Sequence, residues 1–280
     1  MDILNLIRIK DWLKNIIIFL PIIFSGQLFN SEKYPSLILG FLTFSIVSSF
    51  IYVLNDILDI NKDKIHPTKR YEKPLANNKI SIRVAYYILL LLGFLSVILI
   101  FNQPVIHISI FFYLALSLSY NFGLKKIPYL ELIILGAGYI IRTDTGSKLI
   151  SVDSSVLMLI AIFLLGIYLI LTKRISELNH HFDLKQDNIR FVLKYYNKLH
   201  LSIFSLITII SLCVVMLIYI LTINIKLIIS FIFVLVFLFK YHKVTKNSSK
   251  GENPIGFIFS DKFFLFLVII IIVSSLIIYI

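Results

Sequence analysis

A chain of 280 residues with 59% hydrophobic, 14% aromatic and only 15% charged residues carries more apolar surface than a soluble core of that size can bury. That balance excludes a water-soluble domain and describes an all-α, polytopic membrane helix bundle. The net charge of +12 suits anionic lipid head groups and an anionic substrate; nucleic acid is excluded because the basic residues fall in separate loops, not in one aromatic-interleaved patch.

In chain order, Met1 to Asn15 precedes the first apolar run. Asp11 and Trp12 adjoin that run and no small-residue cleavage site follows, so a retained first helix is expected in place of a secretory signal. Apolar spans read near 13–29, 36–55, 82–101, 104–121, 129–142, 155–172, 200–221, 225–239 and 262–280, about nine transmembrane helices in a single domain over 1–280. If the spans alternate sides, 23 of the 27 Lys and Arg residues fall on one face, leaving Lys33, Arg142, Lys148 and Lys226 on the other. The basic side is the cytoplasmic one, so a multi-pass inner (plasma) membrane protein is expected, with Asn55–Asp63 facing the cytoplasm. The single cysteine, Cys213, lies in an apolar span and reads as a packing residue.

Polar residues are costly at membrane depth, so each cluster at a span end calls for a reason. The first, Arg8 to Asn15, reads as an interfacial anchor, with Lys14 placed to reach a buried phosphate. The second follows span 2. Asn55, Asp59 and Asp63 recur every four residues and share one helical stripe with Tyr52 close to it and Asp56 beside it. Like charges four apart repel. The spacing therefore makes sense for a divalent cation, Mg²⁺ above all, which takes a few carboxylates plus substrate phosphate oxygens; the alternative is a solvated helix end. Lys69 and Arg70 follow shortly after and could grip a diphosphate from the other side, while His66 before Pro67 reads as a loop-shaping residue.

Between spans 4 and 5, Gly123 and Pro128 punctuate a turn whose Lys125 and Lys126 either set orientation or bind anions. Glu131 follows at a helix start, where the dipole tolerates an acid. Arg142 ends span 5 after Gly136-Ala137-Gly138, a small-residue stretch that suits a central helix; it either pairs with Asp144 or points into a cavity. After span 6, Lys173 and Arg174 either bind phosphate with Glu177 orienting one of them or form an intrahelical ion pair with it. Asp183 and Asp187, four apart, read as a second metal pair or as a solvated loop.

The Asn-x-x-x-Asp-x-x-x-Asp helix end at Asn55, Asp59 and Asp63 resembles the signature of the UbiA-type integral membrane prenyltransferase superfamily. More narrowly, the chain resembles the decaprenyl-phosphate phosphoribosyltransferases. That closer resemblance rests on Arg8, Trp12, Lys14 and Asn15; on Tyr52 through Asp63 with His66-Pro67, Lys69 and Arg70; on Tyr120 and Gly123 to Lys125; on Arg142; on Lys173-Arg174 with Glu177-Leu178; and on Asn253-Pro254 with Asp261. Glu131 stands where that group has an aspartate.

The resemblance implies a Mg-dependent membrane transferase that moves 5-phosphoribose from phosphoribosyl diphosphate to a polyprenyl phosphate, releasing diphosphate, for cell-envelope glycan precursors. It further implies Asn55, Asp59 and Asp63 as metal ligands, with Asp56 and Asp59 at the reacting centre. Lys14, Tyr52, Lys69, Arg70, Lys125, Arg142, Lys173, Arg174 and Glu177 are then the substrate-binding set. The alternatives are an aromatic prenyltransferase of a quinone-type pathway, to which Asp183 and Asp187 would belong, and a transporter or flippase. A homo-oligomer is compatible with this reading and not specified by it.

Overall fold

A computed structural model describes residues 2–65, 69–181, 191–246, 249–252 and 254–277, and no β-strand occurs among them. A short helix α1 (Asp2–Leu6) leads into a 3₁₀ segment (Ile9–Phe19) and α2 (Leu20–Phe24). Then follow α3 (Tyr34–Leu58), α4 (Ile60–Ile65), α5 (Lys69–Glu72), α6 (Ile82–Phe101), α7 (His107–Phe122), α8 (Leu130–Leu149) and α9 (Val156–His181). The chain ends with α10 (Lys198–Ile223), α11 (Ile228–Lys246), α12 (Pro254–Ser260) and α13 (Lys262–Ile277).

Among the described residues, six helices are long and apolar enough to cross a membrane, at 31–58, 82–101, 104–122, 156–179, 198–223 and 225–245, fewer than the nine expected from apolar runs. The first run is broken, a 3₁₀ segment passing into α2 where Pro21 enters. The last apolar helix, Lys262–Leu276, is short. The fifth run is a helix of 20 residues, but Glu131, Arg142, Asp144 and Lys148 make it too polar to count by composition.

That helix also corrects the expectation that Arg142 ends its span, because α8 continues to Leu149. The polar stretch after Arg142 stays helical because its hydroxyls find partners in the turn before. Thr143 Oγ1 donates to the Tyr139 carbonyl at 3.1 Å and Thr145 Oγ1 to the Ile141 carbonyl at 2.7 Å. Asp144 pairs with Lys148 four residues on, at 2.7 Å.

α8 is the middle of the bundle. It packs on α7, on α9 and on the 3₁₀ segment, which itself lies against α3. α6 covers α3 on one side, α10 covers α9 on the other, and α13 reaches α2 to bring the two ends of the chain together. The outward faces of α6 and α10 carry exposed Tyr87, Leu90, Phe94, Ile207 and Ile210, the surface a lipid environment accepts. The polar side chains turn inward, where α3, α8 and the 3₁₀ segment meet.

Candidate active site

The acidic stripe is built on a helix end that bends without breaking its hydrogen bonds. α3 stops at Leu58 and α4 starts at Ile60, yet the Asp59 N–H donates to the Asn55 carbonyl and the Asp63 N–H to the Asp59 carbonyl, both at 2.9 Å. The four-residue repeat of Asn55, Asp59 and Asp63 therefore survives the junction.

The side chains meet in twos. Lys125 Nζ, from the turn between α7 and α8, donates to Asp59 Oδ2 at 2.8 Å and to Asn55 Oδ1 at 3.3 Å. Lys73 Nζ donates to Asp56 Oδ1 at 2.7 Å and to Asp63 Oδ2 at 2.6 Å. Asp56 is buried and takes a second cation, Arg8, at 2.6 Å. Among the described residues no three His, Cys, Asp or Glu side chains gather on one point. Magnesium nevertheless fits what is present. Each pair of hard oxygen donors converges on a single cationic nitrogen, and Mg²⁺ takes one or two protein oxygens and completes its shell with phosphate and water.

Burial pushes the Asp59 carboxyl up, but the hydrogen bond and charge of Lys125, with Lys62 at 3.4 Å, outweigh it and hold the group below the usual carboxylate range. Asp59 is thus anionic at neutral pH.

The amino-terminal segment forms one wall. Leu6 is fully buried with Val53, Ile57, Leu75 and Ile80, the Ile7 carbonyl accepts from Ser49 Oγ at 2.7 Å, and Trp12 Nε1 donates to the same hydroxyl at 2.9 Å. Arg8 has a left-handed backbone (φ 53°), a conformation costing a non-glycine residue on the order of 1 kcal/mol or more. It places the guanidinium on Asp56 and over the Tyr52 ring, 4.8 Å from its centroid. Lys14 Nζ lies 2.5 Å from Asp11 and 5.9 Å from the same ring. Burial pushes the Asp11 carboxyl up, yet Lys14, then Arg8 and Lys173, hold it below its ordinary value, which puts Lys173 of α9 within electrostatic reach of this wall.

The other expected residues divide. Arg70 is exposed and turned toward Tyr71, with its guanidinium 4.4 Å from that ring, away from the acids. The Lys69 side chain, His66, Asp183 and Asp187 lie outside the described part of the chain. Arg142, 7% exposed, points into the bundle and not toward Asp144. Its Nε donates to Asn15 Oδ1 at 2.6 Å, Nη1 to the Gly138 carbonyl at 2.8 Å and Nη2 to the Tyr113 hydroxyl at 2.9 Å. Arg174 is enclosed, 1% exposed, with Nε and Nη2 on the two oxygens of Glu131 and Nη1 on Glu177 at 2.7 Å. The intrahelical pair and a helix-to-helix pair thus coexist on one guanidinium.

Lys73 and Arg8 hold the acids but were not among the binding residues expected from the sequence. The signal for Lys73 was its place in the same polar segment as the acids; Arg8 was masked by its reading as an interfacial anchor. Asn15 entered through the resemblance without its role, and Tyr113, which with Asn15 fixes Arg142, left no local signal.

The sequence pattern of the UbiA prenyltransferase family matches residues 18–277. The chain is 28% identical over 182 residues to a decaprenyl-phosphate phosphoribosyltransferase of Mycobacterium tuberculosis, covering 63% of this chain and 60% of that protein. It is 32% identical over 151 residues to the uncharacterized protein y4nM of Sinorhizobium fredii, covering 53% of this chain and 29% of that one. The chain thus spans less than two thirds of the length of these curated relatives. In fold it is similar to a UbiA homolog from Archaeoglobus fulgidus bound to GPP and Mg²⁺, with a TM-score of 0.69 at 18% identity over 100% of this chain and 99% of that one.

Proposed function

The chain belongs to the UbiA prenyltransferase family, and from that premise we propose that it is a polyprenyl-phosphate phosphoribosyltransferase, acting as one domain in the plasma membrane with its acids on the cytoplasmic side. It takes 5-phosphoribose from phosphoribosyl diphosphate, passes it to a polyprenyl phosphate and releases diphosphate. The observation that carries this reading is the density of cations around the acidic helix end. Arg8, Lys73 and Lys125 bind it directly, and Lys14, paired with Asp11, adds a further cation on the neighbouring wall, more than one diphosphate needs and suited to a donor and an acceptor that both carry phosphate. The relatives named as phosphoribosyltransferases support the same choice.

Asn55, Asp59 and Asp63 would hold Mg²⁺, with Asp56 supporting them. The metal supplies charge neutralisation to the departing diphosphate. Lys125 and Lys73, which neighbour these acids, would share the anionic load of the diphosphate, and Lys14 lies on the adjacent wall. Tyr52, with Arg8 stacked on it, bounds the site toward the membrane interior. The acceptor phosphate is already ionised, so no strong general base is required; alignment and electrostatic stabilisation carry the reaction. Arg174, Glu177 and Arg142 act by holding helices, whereas Lys69 and Arg70 of α5 would contribute once substrate is bound.

Purified protein offered labelled phosphoribosyl diphosphate with a polyprenyl phosphate should form a labelled lipid in a Mg²⁺-dependent manner. Product only from prenyl diphosphate and an aromatic acceptor would replace this reading with the quinone-type one.

A further inference from the structure

We propose that Lys73 is a built-in counter-ion of the acidic helix end, displaced from Asp56 and Asp63 by a divalent cation and then moving onto the diphosphate that the cation accompanies. This rests on the magnesium and diphosphate part of the proposed function, not on the identity of the sugar. Lys73 Nζ sits between two buried carboxylates seven residues apart, 2.7 Å from Asp56 Oδ1 and 2.6 Å from Asp63 Oδ2. Two such carboxylates repel, and the ammonium between them, with Arg8 on Asp56, balances their charge. A magnesium ion binds oxygen at about 2.0–2.1 Å. An ammonium at hydrogen-bond distance from the same oxygen lone pair cannot remain there, so metal and lysine compete for one position.

The lysine cannot leave the site when it loses that competition. Its backbone is tied into the core beside it: Leu75 and Ala76 are buried, the Ile80 N–H donates to the Pro74 carbonyl and the Asn77 N–H to the Lys73 carbonyl, each at 3.1 Å. Only the flexible four-carbon stem is free to swing. The displaced ammonium therefore stays next to whatever anion the metal carries. Arg8 differs, because its stack on Tyr52 keeps it on Asp56 as a permanent partner. Lys62 differs too, being exposed and 3.4 Å from Asp59.

The test uses full-length protein in detergent, with Mg²⁺ alone and Mg²⁺ with pyrophosphate as probes, read by titration calorimetry. Lys73→Met should bind Mg²⁺ roughly tenfold more tightly and pyrophosphate, at saturating Mg²⁺, roughly tenfold more weakly, the scale of a lost pair of charge-assisted bonds. Lys79→Met, which removes the same charge from an exposed position beside Asp2 and away from the acids, should move neither by more than about twofold. A lysine with a merely structural role would weaken both ligands or neither, and either result overturns the proposal. Should Lys73→Met not fold, amine acetylation of the native protein read by mass spectrometry decides. Labelling of Lys73 should rise several-fold on adding Mg²⁺ and fall when pyrophosphate follows; unchanged labelling with Mg²⁺ overturns the exchange. Neither probe contains ribose, so failure of the phosphoribosyl reading leaves this result independent.

Discussion

Arg174 holds both carboxylate oxygens of Glu131, Nε to Oε1 at 2.6 Å and Nη2 to Oε2 at 2.9 Å, and so clamps α9 to α8 from within the bundle. Tyr196 donates to the same carboxylate at 3.2 Å and Tyr120 at 3.4 Å, so α7, α9 and the stretch before α10 all close on one α8 side chain that is fully buried. Removing one partner of a buried ion pair strands the other, which costs about 3–5 kcal/mol. Glu131→Gln should therefore lower unfolding stability in detergent by that order. Glu177→Gln, which weakens the bond to Arg174 Nη1 from a more exposed carboxylate, should cost clearly less. Equal losses would mean that Glu131 is not the principal partner of Arg174.

Asp59→Asn tests the metal assignment. The carboxylate is held anionic by Lys125 and Lys62, so the substitution removes a full charge from the point where Asn55 and Asp59 converge. Mg²⁺-dependent transfer should fall by about two to three orders of magnitude, the scale of losing one preorganised electrostatic contact to a reacting group. The unfolding midpoint should move little, because Lys125 still finds an amide oxygen. Near-normal turnover would remove Asp59 from the chemistry.

The acidic stripe was legible because a repeat of four survives any local bend that keeps backbone hydrogen bonds, as the Asn55–Asp59–Asp63 ladder does. The apolar runs were legible for the same kind of reason, a period and a length. What could not be read was pairing at a distance. Glu131 and Arg174 are 43 residues apart and Asn15 and Arg142 are 127 apart, and neither pair has a local signature. The end of α8 was misplaced because Thr143, Asp144, Thr145 and Ser147 look like a loop when written out. Folded, they are turns of one helix that packs on the 3₁₀ segment through Gly146, with the threonine hydroxyls satisfied one turn back.

Arg142 makes a second stability prediction. Its three bonds go to an amide oxygen, a main-chain carbonyl and a phenol, and among the described residues no carboxylate lies within ion-pairing distance of it. Its charge is therefore carried by dipoles alone, and each one matters. Asn15 also donates to Ser45 at 3.0 Å, which ties the 3₁₀ segment to α3 and α8 at once. Asn15→Ala should cost about 1.5–3 kcal/mol, the range for a hydrogen bond to a charged group. Combined with Tyr113→Phe the loss should depart from additivity, since both partners serve one guanidinium. A strictly additive pair in equilibrium unfolding would mean that the two contacts act separately.

Among the described glycines, Gly146 gives the sharpest contrast with the others. A Cβ added at Gly146 would drive into the Ile18 carbonyl oxygen and stand 2.9 Å from its carbon, main-chain atoms of the 3₁₀ segment that cannot rotate away. At Gly136 the same atom would meet the Phe163 ring at 2.8 Å and Ile167 Cδ1 at 2.9 Å, and at Gly40 the Leu149 Cδ1, all ends of side chains with other rotamers to adopt. Gly146→Ala must then push the 3₁₀ segment off α8, disturbing Asn15 and Lys14 on that segment, and should cost about 3 kcal/mol or more, the upper range of overpacking. Gly40→Ala and Gly136→Ala should cost about 1–2 kcal/mol because the neighbours yield. Only the Gly146 variant should also lower transfer activity at temperatures where it remains folded, since it alone moves the wall bearing Lys14. Thermal melts and turnover measured on all three variants would show the ordering, and a Gly146→Ala protein as stable as the others would mean that the 3₁₀ segment is free to shift.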